Sequence, residues 1–315
     1  MNSPRPSGST ASRSVVAIVT ARAARGLDED QPPLQAALVS AGAHVAVVDW
    51  DNTEVDWTRF DLALLRSTWD YTDRLAEFLG WADRVSRLTR LANSAAIVRW
   101  NTDKHYLAEL ARKGVATVPS TFVEPGEDAG AALDRFIAGL VTTELVVKPS
   151  VGAGSLDTHR YSKRSARDAA VAHAQRLLAA GRSVLLQPYL DRVDEHGETA
   201  LIFFAGHFSH AIRKGPLLPS APPSGAPANG LFVPEDITPR QPTQAELRLA
   251  TDVLSAIPFP TPLYARVDLI QDAQGVPVLL EVELTEPSLF FAQAPGSALR
   301  FAKSVLGHIS LPLNT

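Results

Sequence analysis

Cysteine is absent from this chain of 315 residues. No disulfide framework, thiolate zinc site or thiol nucleophile can be built from it. Excess basic charge is also missing. Lys and Arg total 30 against 34 Asp and Glu, a formal net charge of −4. That is not the basic balance of a nucleic-acid-binding chain. No run approaches the roughly 20 apolar residues needed to span a bilayer. With 45% hydrophobic residues, disorder is excluded as the main state. At ~150 residues per domain, the length suggests about two domains, or one large domain with subdomains. Residues 1–13 are rich in Ser, Pro and Arg and lack the apolar segment of a signal peptide. They read as a disordered tail, and a cytoplasmic location is expected.

Lysine is scarce: six residues, against 24 Arg. A GC-rich coding bias explains the ratio. It also makes each retained Lys worth a question, because a compact ammonium and a planar guanidinium differ chemically.

Apolar β-branched runs at Ser14–Thr20 and His44–Trp50 flank a helical pattern over Gln31–Ala41, with Gly42 as its stop. A third strand is expected at Asp61–Leu65. Strand–helix–strand with short turns indicates a parallel βαβ sheet. Arg66–Leu88 starts as a loop and becomes a helix with Leu75, Phe78, Leu79, Ala82, Val85 and Leu88 on one stripe. A boundary is expected near Asn93–Arg99, then a helix over Thr102–Gly114 capped by Asn101 or Thr102. Strands are expected at Thr117–Val123, Glu144–Lys148, Ser183–Leu190, Thr199–Phe204, His207–Arg213, Tyr264–Gln271 and Val276–Leu284. Ala205-Gly206 suits a tight hairpin. Helices are expected at Thr243–Ile257 and Ser297–Leu306. Gly215–Pro242 contains eight prolines, which leave no room for a regular element. It reads equally as a mobile active-site loop or a surface insertion.

The strongest chemical signal is acidic. Asp268 lies in LYARVDLI, and Glu281 and Glu283 in VLLEVEL. Residues two apart on a strand face the same way, about 6.6 Å apart. If the two strands pair, three carboxylates converge on one face. They repel unless cations lie between them, and an all-oxygen set of this kind suits Mg²⁺ shared with phosphates. The second signal is Lys148 at a strand end, running into PSVGAGS. Its ammonium suits a phosphate oxygen, while Gly152 and Gly154 let backbone N–H groups approach. Alone, a plain Gly turn explains this loop as well. Gln187-Pro-Tyr-Leu-Asp191 ends a strand and could form a hinge. Glu198, His210, Arg213 and Lys214 lie on or beside a hairpin, and Arg213-Lys214 could bind a transferring phosphoryl group. His44, His173 and His308 read as structural.

Lys104, Lys148, the QPYL hinge, GETALIFFAGHFSHAIRK, RVD and LLEVEL occur in an order that resembles the ATP-grasp superfamily over roughly residues 100–295. The resemblance implies an α/β fold with α+β elements. A Rossmann-like parallel βαβ substrate domain would occupy 14–98, a lid with the Gly-rich loop 99–186, and the Mg/ATP-bearing part 187–315. It implies ATP and Mg²⁺ as cofactors. Lys104 and Lys148 would hold phosphates, with Ser150, Gly152, Gly154 and Ser155 in the mobile loop. Gln187, Pro188, Tyr189, Leu190 and Asp191 would meet adenine and ribose, with Glu198 near the ribose or phosphates. Asp268, Glu281 and Glu283 would bind metal. Glu283 stands where that superfamily usually has Asn in an E-x-N pattern, which leaves the number of tightly bound Mg²⁺ open. Arg213, Lys214 and Arg266 would stabilise charge on the reacting groups.

RSTWDYTDRLAEFLGWA and LLEVELTEPSLFF look like the group containing O-ureido-serine cyclo-ligase, which closes the D-cycloserine ring. That resemblance implies an amino-acid-like small-molecule substrate, with no nucleic acid or membrane partner and homo-oligomerisation open. Arg66 or Thr68 would lie near the substrate carboxylate and Asp70 near its amino group. The bland alternative has Trp69 and Tyr71 covering a core edge and Asp70 capping the next helix. An intermolecular carboxylate–amine ligase and a catalytically silent ATP-binding module are the competing readings of function.

Overall fold

The computed structural model describes residues 13–218 and 235–311. The expected tail and much of the proline-rich segment lie outside these residues. The chain begins with β1 (Val15–Thr20), α1 (Gln31–Ser40), β2 (His44–Asp49), β3 (Leu62–Ser67), α2 (Leu75–Val85) and β4 (Arg90–Ala92). These strands form a parallel sheet in the order β2-β1-β3-β4. The central strands are apolar over Val15–Val19 and Leu62–Leu65 because helices cover both faces, and they end in the polar Thr20, Arg66 and Ser67. Phe78, Trp81, Ala82 and Val85 of α2 are buried, whereas Leu88 lies past the helix end and is exposed.

A helix, α3 (Ala95–Asn101), occupies the boundary expected near Asn93–Arg99, and the helix expected over 102–114 is the shorter α4 (Tyr106–Arg112). Ser94 caps α3, its hydroxyl accepting from the Ile97 N–H. Asn101 therefore does not cap a helix. It lies inside α3, and its amide donates to Val282 O and accepts from Leu284 N–H. Then come β5 (Thr121–Val123), α5 (Ala129–Gly139), β6 (Glu144–Pro149), β7 (His159–Ser162), α6 (Arg167–Ala179) and β8 (Val184–Pro188). They build an antiparallel sheet, β5-β8-β6-β7, whose own core includes Leu133, Leu145, Val147, Leu177 and Leu186.

A short helix α7 (Val193–His196) leads into β9 (Glu198–Phe204), β10 (His207–Lys214), β11 (Ile237–Arg240), α8 (Gln244–Ala256), β12 (Tyr264–Gln271), β13 (Pro277–Glu283) and α9 (Ser297–Ile309). The third sheet is antiparallel, β11-β10-β9-β12-β13. β11 corrects the expectation that Gly215–Pro242 holds no regular element. It is an edge strand, which tolerates Pro239 because one side of an edge needs no ladder donors. Ala205 and Gly206 both have positive φ, as the tight β9–β10 hairpin requires. α8 starts with a full capping box between Thr243 and Glu246.

One core joins the first and third sheets. Ile18, Leu34 and Leu64 pack with Ile202, Tyr264, Phe301 and Val305, and α9 lies on α1. Asn93 fastens the same junction, donating to Tyr264 O and Leu284 O and accepting from Leu263 N–H. Asp30, just before α1, accepts from the N–H groups of Leu289, Phe290 and Phe291 at 2.6–3.0 Å. Phe290 has φ 52°. That left-handed conformation is costly for a non-Gly residue, and the three hydrogen bonds hold it in place.

Candidate active site

The two antiparallel sheets, with the segments that follow β1 and β3 of the first sheet, line a cleft of about 460 Å³. Its acidic wall comes from β12 and β13. Asp268 pairs in register with Glu281, and Arg266 with Glu283, so the three carboxylates share one face as expected from their spacing. A bulge follows, because Leu269 opposes Leu279 and leaves Leu280 unpaired. Leu280 lines the cleft, while Leu279 is fully buried in the core behind it.

Cations are interleaved with the carboxylates. Lys104 Nζ lies 2.8 Å from Glu281 and donates to Gly152 O at 2.9 Å. Lys214 lies 2.6 Å from Glu198 and 2.9 Å from Asp268. Arg266 donates to Asp268 from Nε and Nη2, and also to Glu283. Burial favours a neutral Asp268, but Arg266 and Lys214 overcome it and hold the carboxyl well below its usual range. Glu281 is likewise lowered against burial by Lys104 and Lys148. Glu283 goes the other way, pushed up to about 7 by burial and by its acidic neighbours. Burial raises Glu198 to about 8.

Lys148 makes no ion pair within 4.0 Å among the described residues. It is buried, and burial together with Lys104 pushes its ammonium down to about 8. A buried ammonium without an anion suits an anionic ligand. The other lysines divide cleanly. Lys113 donates to Ala256 O and Lys163 to Leu140 O, and neither lines the cleft.

The Gly-rich loop brings Gly152, Gly154 and Ser155 into the cleft. Ser150 is buried behind them, its N–H on Ser183 O and its carbonyl accepting from Lys104 N–H. Gln187, Pro188, Tyr189 and Leu190 line the opposite side, but Asp191 is exposed outside. Arg160 lies 3.7 Å over the Tyr189 ring and fixes it. Gly197 has φ 73°, and a Cβ there would meet Lys214 O at 2.4 Å. Glycine is thus required where the chain enters β9 to place Glu198 beside Lys214.

Besides Asp191, other expectations need correction. Arg213 is not in the cleft: strand alternation turns it opposite to Lys214, and its guanidinium donates to the carbonyls of Glu195 and His196. Asp70 neither caps α2 nor lines the cleft. It accepts from the Trp50 indole N–H at 2.8 Å and pairs with Arg74. Arg66 and Thr68 are buried beneath the cleft rather than lining it, with Arg66 3.6 Å from Asp30 and 4.0 Å from Asp28. His210 is held by Leu289 O and does not line the cleft.

Sequence reasoning missed Glu286, Asp28 and Phe290, all of which line the cleft. Glu286 is buried and is pushed up to about 8 by burial and by Glu283, against the opposing effect of the Tyr71 hydroxyl. The signal was the acidic residue in LTEPSLFF, close behind the metal-type carboxylates. Tyr71 and Trp69 line the same cleft, so the aromatics of RSTWDY do more than cover a core edge.

The comparisons agree with this geometry. Residues 16–93 match the family model described as D-cycloserine synthetase DcsG, N-terminal domain. The cycloserine biosynthesis protein DcsG of Streptomyces lavendulae is 43% identical over 293 residues, covering 92% of this chain and 97% of that protein. The crystal structure of D-cycloserine synthetase DcsG superposes with a TM-score of 0.85 at 40% identity, over 94% of this chain and all of that one. D-alanine–D-alanine ligase from Bacillus anthracis shares the fold at TM-score 0.62 and 14% identity, covering 93% and 96% of the two chains. The chain belongs to the D-cycloserine synthetase family of ATP-grasp ligases.

Proposed function

We propose that this protein converts O-ureido-D-serine to D-cycloserine in the cytoplasm, using ATP and Mg²⁺. The observation that carries the reading is the convergence of Lys104, Lys148 and Lys214 on the Asp268–Glu281–Glu283 face, in a chain 43% identical to a cycloserine biosynthesis protein. Three hard carboxylates on one face, one of them raised by burial and by its acidic neighbours, fit a divalent cation. Asp268, Glu281 and Glu283 would hold Mg²⁺, which supplies charge neutralisation at the phosphates when bound.

The protein's part is positioning and electrostatics. Lys104 and Lys148 bind phosphate oxygens under the Gly-rich loop. The Gln187–Leu190 segment receives the base. Lys214 and Arg266 orient the carboxylates and stabilise negative charge. The substrate carboxylate attacks the γ-phosphorus and ADP leaves. The substrate's own oxyamine nitrogen then attacks the acyl carbon and phosphate leaves. One water hydrolyses the carbamoyl group on that nitrogen, breaking its N–C bond, and the ureido carbon departs as CO₂ and ammonia. In this reading residues 14–98 form the substrate domain. The lid extends from 99 past Pro188, because β8 pairs within the lid sheet.

Incubation with ATP, Mg²⁺ and O-ureido-D-serine tests the proposal. Cycloserine, ADP and phosphate should appear in equal amounts, and hydroxylamine should trap the substrate hydroxamate. ADP release only with two separate substrates, and no cycloserine, would establish an intermolecular ligase instead.

A further inference from the structure

The carboxylates of the acidic wall have cationic partners. Asp268 is held by Arg266 and Lys214, Glu281 by Lys104, Glu283 by Arg266 and Glu198 by Lys214. Glu286 differs. It is 7% exposed and lines the same cleft, yet no Lys, Arg or His among the described residues lies within 4.0 Å of it. The group that favours its charged form most strongly is the neutral hydroxyl of Tyr71. Of the charges that act on it, Glu283 is the strongest and repels it; Lys104 attracts it from beyond ion-pair distance, and Glu281 repels it. A buried carboxylate among like charges is costly unless a cation joins it. The structure keeps it nonetheless, on a segment that Asp30 fixes through three hydrogen bonds.

We propose that Glu286, positioned by Tyr71, is the anchor for the α-ammonium of the amino-acid substrate. This deepens the carboxylate-activation reading above and rests on it. The missing cation arrives with the substrate, so binding and charge compensation coincide. An organic ammonium fits better here than a second metal ion. Tyr71, Trp69 and Phe290 line the same cleft, and aromatic faces attract an ammonium, whereas Mg²⁺ retains much of its water shell and prefers oxygen ligands. Asp70, which the resemblance offered for this role beside a helix-capping alternative, is occupied by Trp50 and Arg74 outside the cleft.

The test compares wild type with Glu286→Gln. Gln keeps the size and the acceptor for Tyr71, and removing an unpaired buried charge does not threaten folding. Calorimetry with a non-hydrolysable ATP analogue present would measure affinity for O-ureido-D-serine and for the same molecule lacking its α-amino group. Loss of one partner from a desolvated charge pair predicts weakening of about 30-fold or more for the amino substrate. Affinity for the des-amino analogue should stay within about twofold, as should the Mg²⁺ concentration for half-maximal ATP binding. Tyr71→Phe should weaken the amino substrate by a smaller factor in the same selective way. Equal losses for both molecules, or a shifted Mg²⁺ requirement, would overturn the assignment. Selective loss without cyclisation by wild type would overturn the activity but keep the ammonium site. Failure of wild type to bind either molecule would overturn both.

Discussion

The Lys104 ammonium bridges Glu281 of β13, at 2.8 Å, and the carbonyl of Gly152, at 2.9 Å. A single charge thus ties the Gly-rich loop of one sheet to the acidic wall of another. Burial opposes this charge, but Glu281 offsets it and raises the ammonium above its ordinary value. Lys104 is therefore charged at neutral pH. Lys104→Met should lower kcat by about 100-fold, the scale expected for loss of one fixed charge-stabilising group. It should also release the loop, so limited proteolysis within residues 151–157 should accelerate.

Lys148 gives a pH signature. Its ammonium is lowered to about 8 by burial and by Lys104. A bound phosphate favours the charged form, so binding takes up a proton above that pH. ATP affinity should consequently fall as pH rises from 7 to 9.5, by up to about tenfold per unit above 8. Calorimetry across that range checks it. Lys148→Met should bind ATP weakly with no such slope. Lys148→Arg should keep the charge but lose most activity, because a planar fork does not replace a point charge under a tight loop.

Glu283 carries one more charge than the Asn usual at this place, and Arg266 lies against it and Asp268 together. The extra acid is thus balanced within the sheet. Glu283→Asn should leave the fold intact and raise the Mg²⁺ concentration for half-maximal activity by about 10-fold. Asp268→Asn and Glu281→Gln should abolish turnover, as should removal of Mg²⁺ by chelation. Steady-state rates against free Mg²⁺ distinguish these outcomes.

Asp30 connects the loop after β1 to the Leu289–Phe291 segment through three hydrogen bonds. Asp30→Ala would leave three amide donors without an acceptor. At about 1–3 kcal/mol for each buried unsatisfied group, the loss should reach at least about 3 kcal/mol. Asp30→Asn keeps an oxygen acceptor and should recover part of it. Urea denaturation midpoints at constant slope measure both.

Local pattern determined a good deal of this protein. Alternation and β-branching placed β1, β2, β6, β9, β10, β12 and β13, since a strand's period is written in its own residues. The two-residue spacing of Glu281 and Glu283, with Asp268 on a neighbouring strand, was enough to gather three carboxylates on one face. The scarcity of Lys made Lys104, Lys148 and Lys214 conspicuous, and all three line the cleft. Tertiary structure decided what depends on partners distant in sequence. Asn101 resembles a helix cap, but it became a bridge to β13 because burial beside Val282 and Leu284 gave its amide better-placed partners. Arg213 and Lys214 are adjacent in sequence, yet pairing with β9 turned only Lys214 inward. Asp70 lost its place to Glu286, 216 residues later, because Trp50 and Arg74 claimed the first and Tyr71 the second. Sequence period sets which face a side chain takes. Packing between sheets sets which charges meet there, and the low polarity of the resulting cleft makes those meetings chemically consequential.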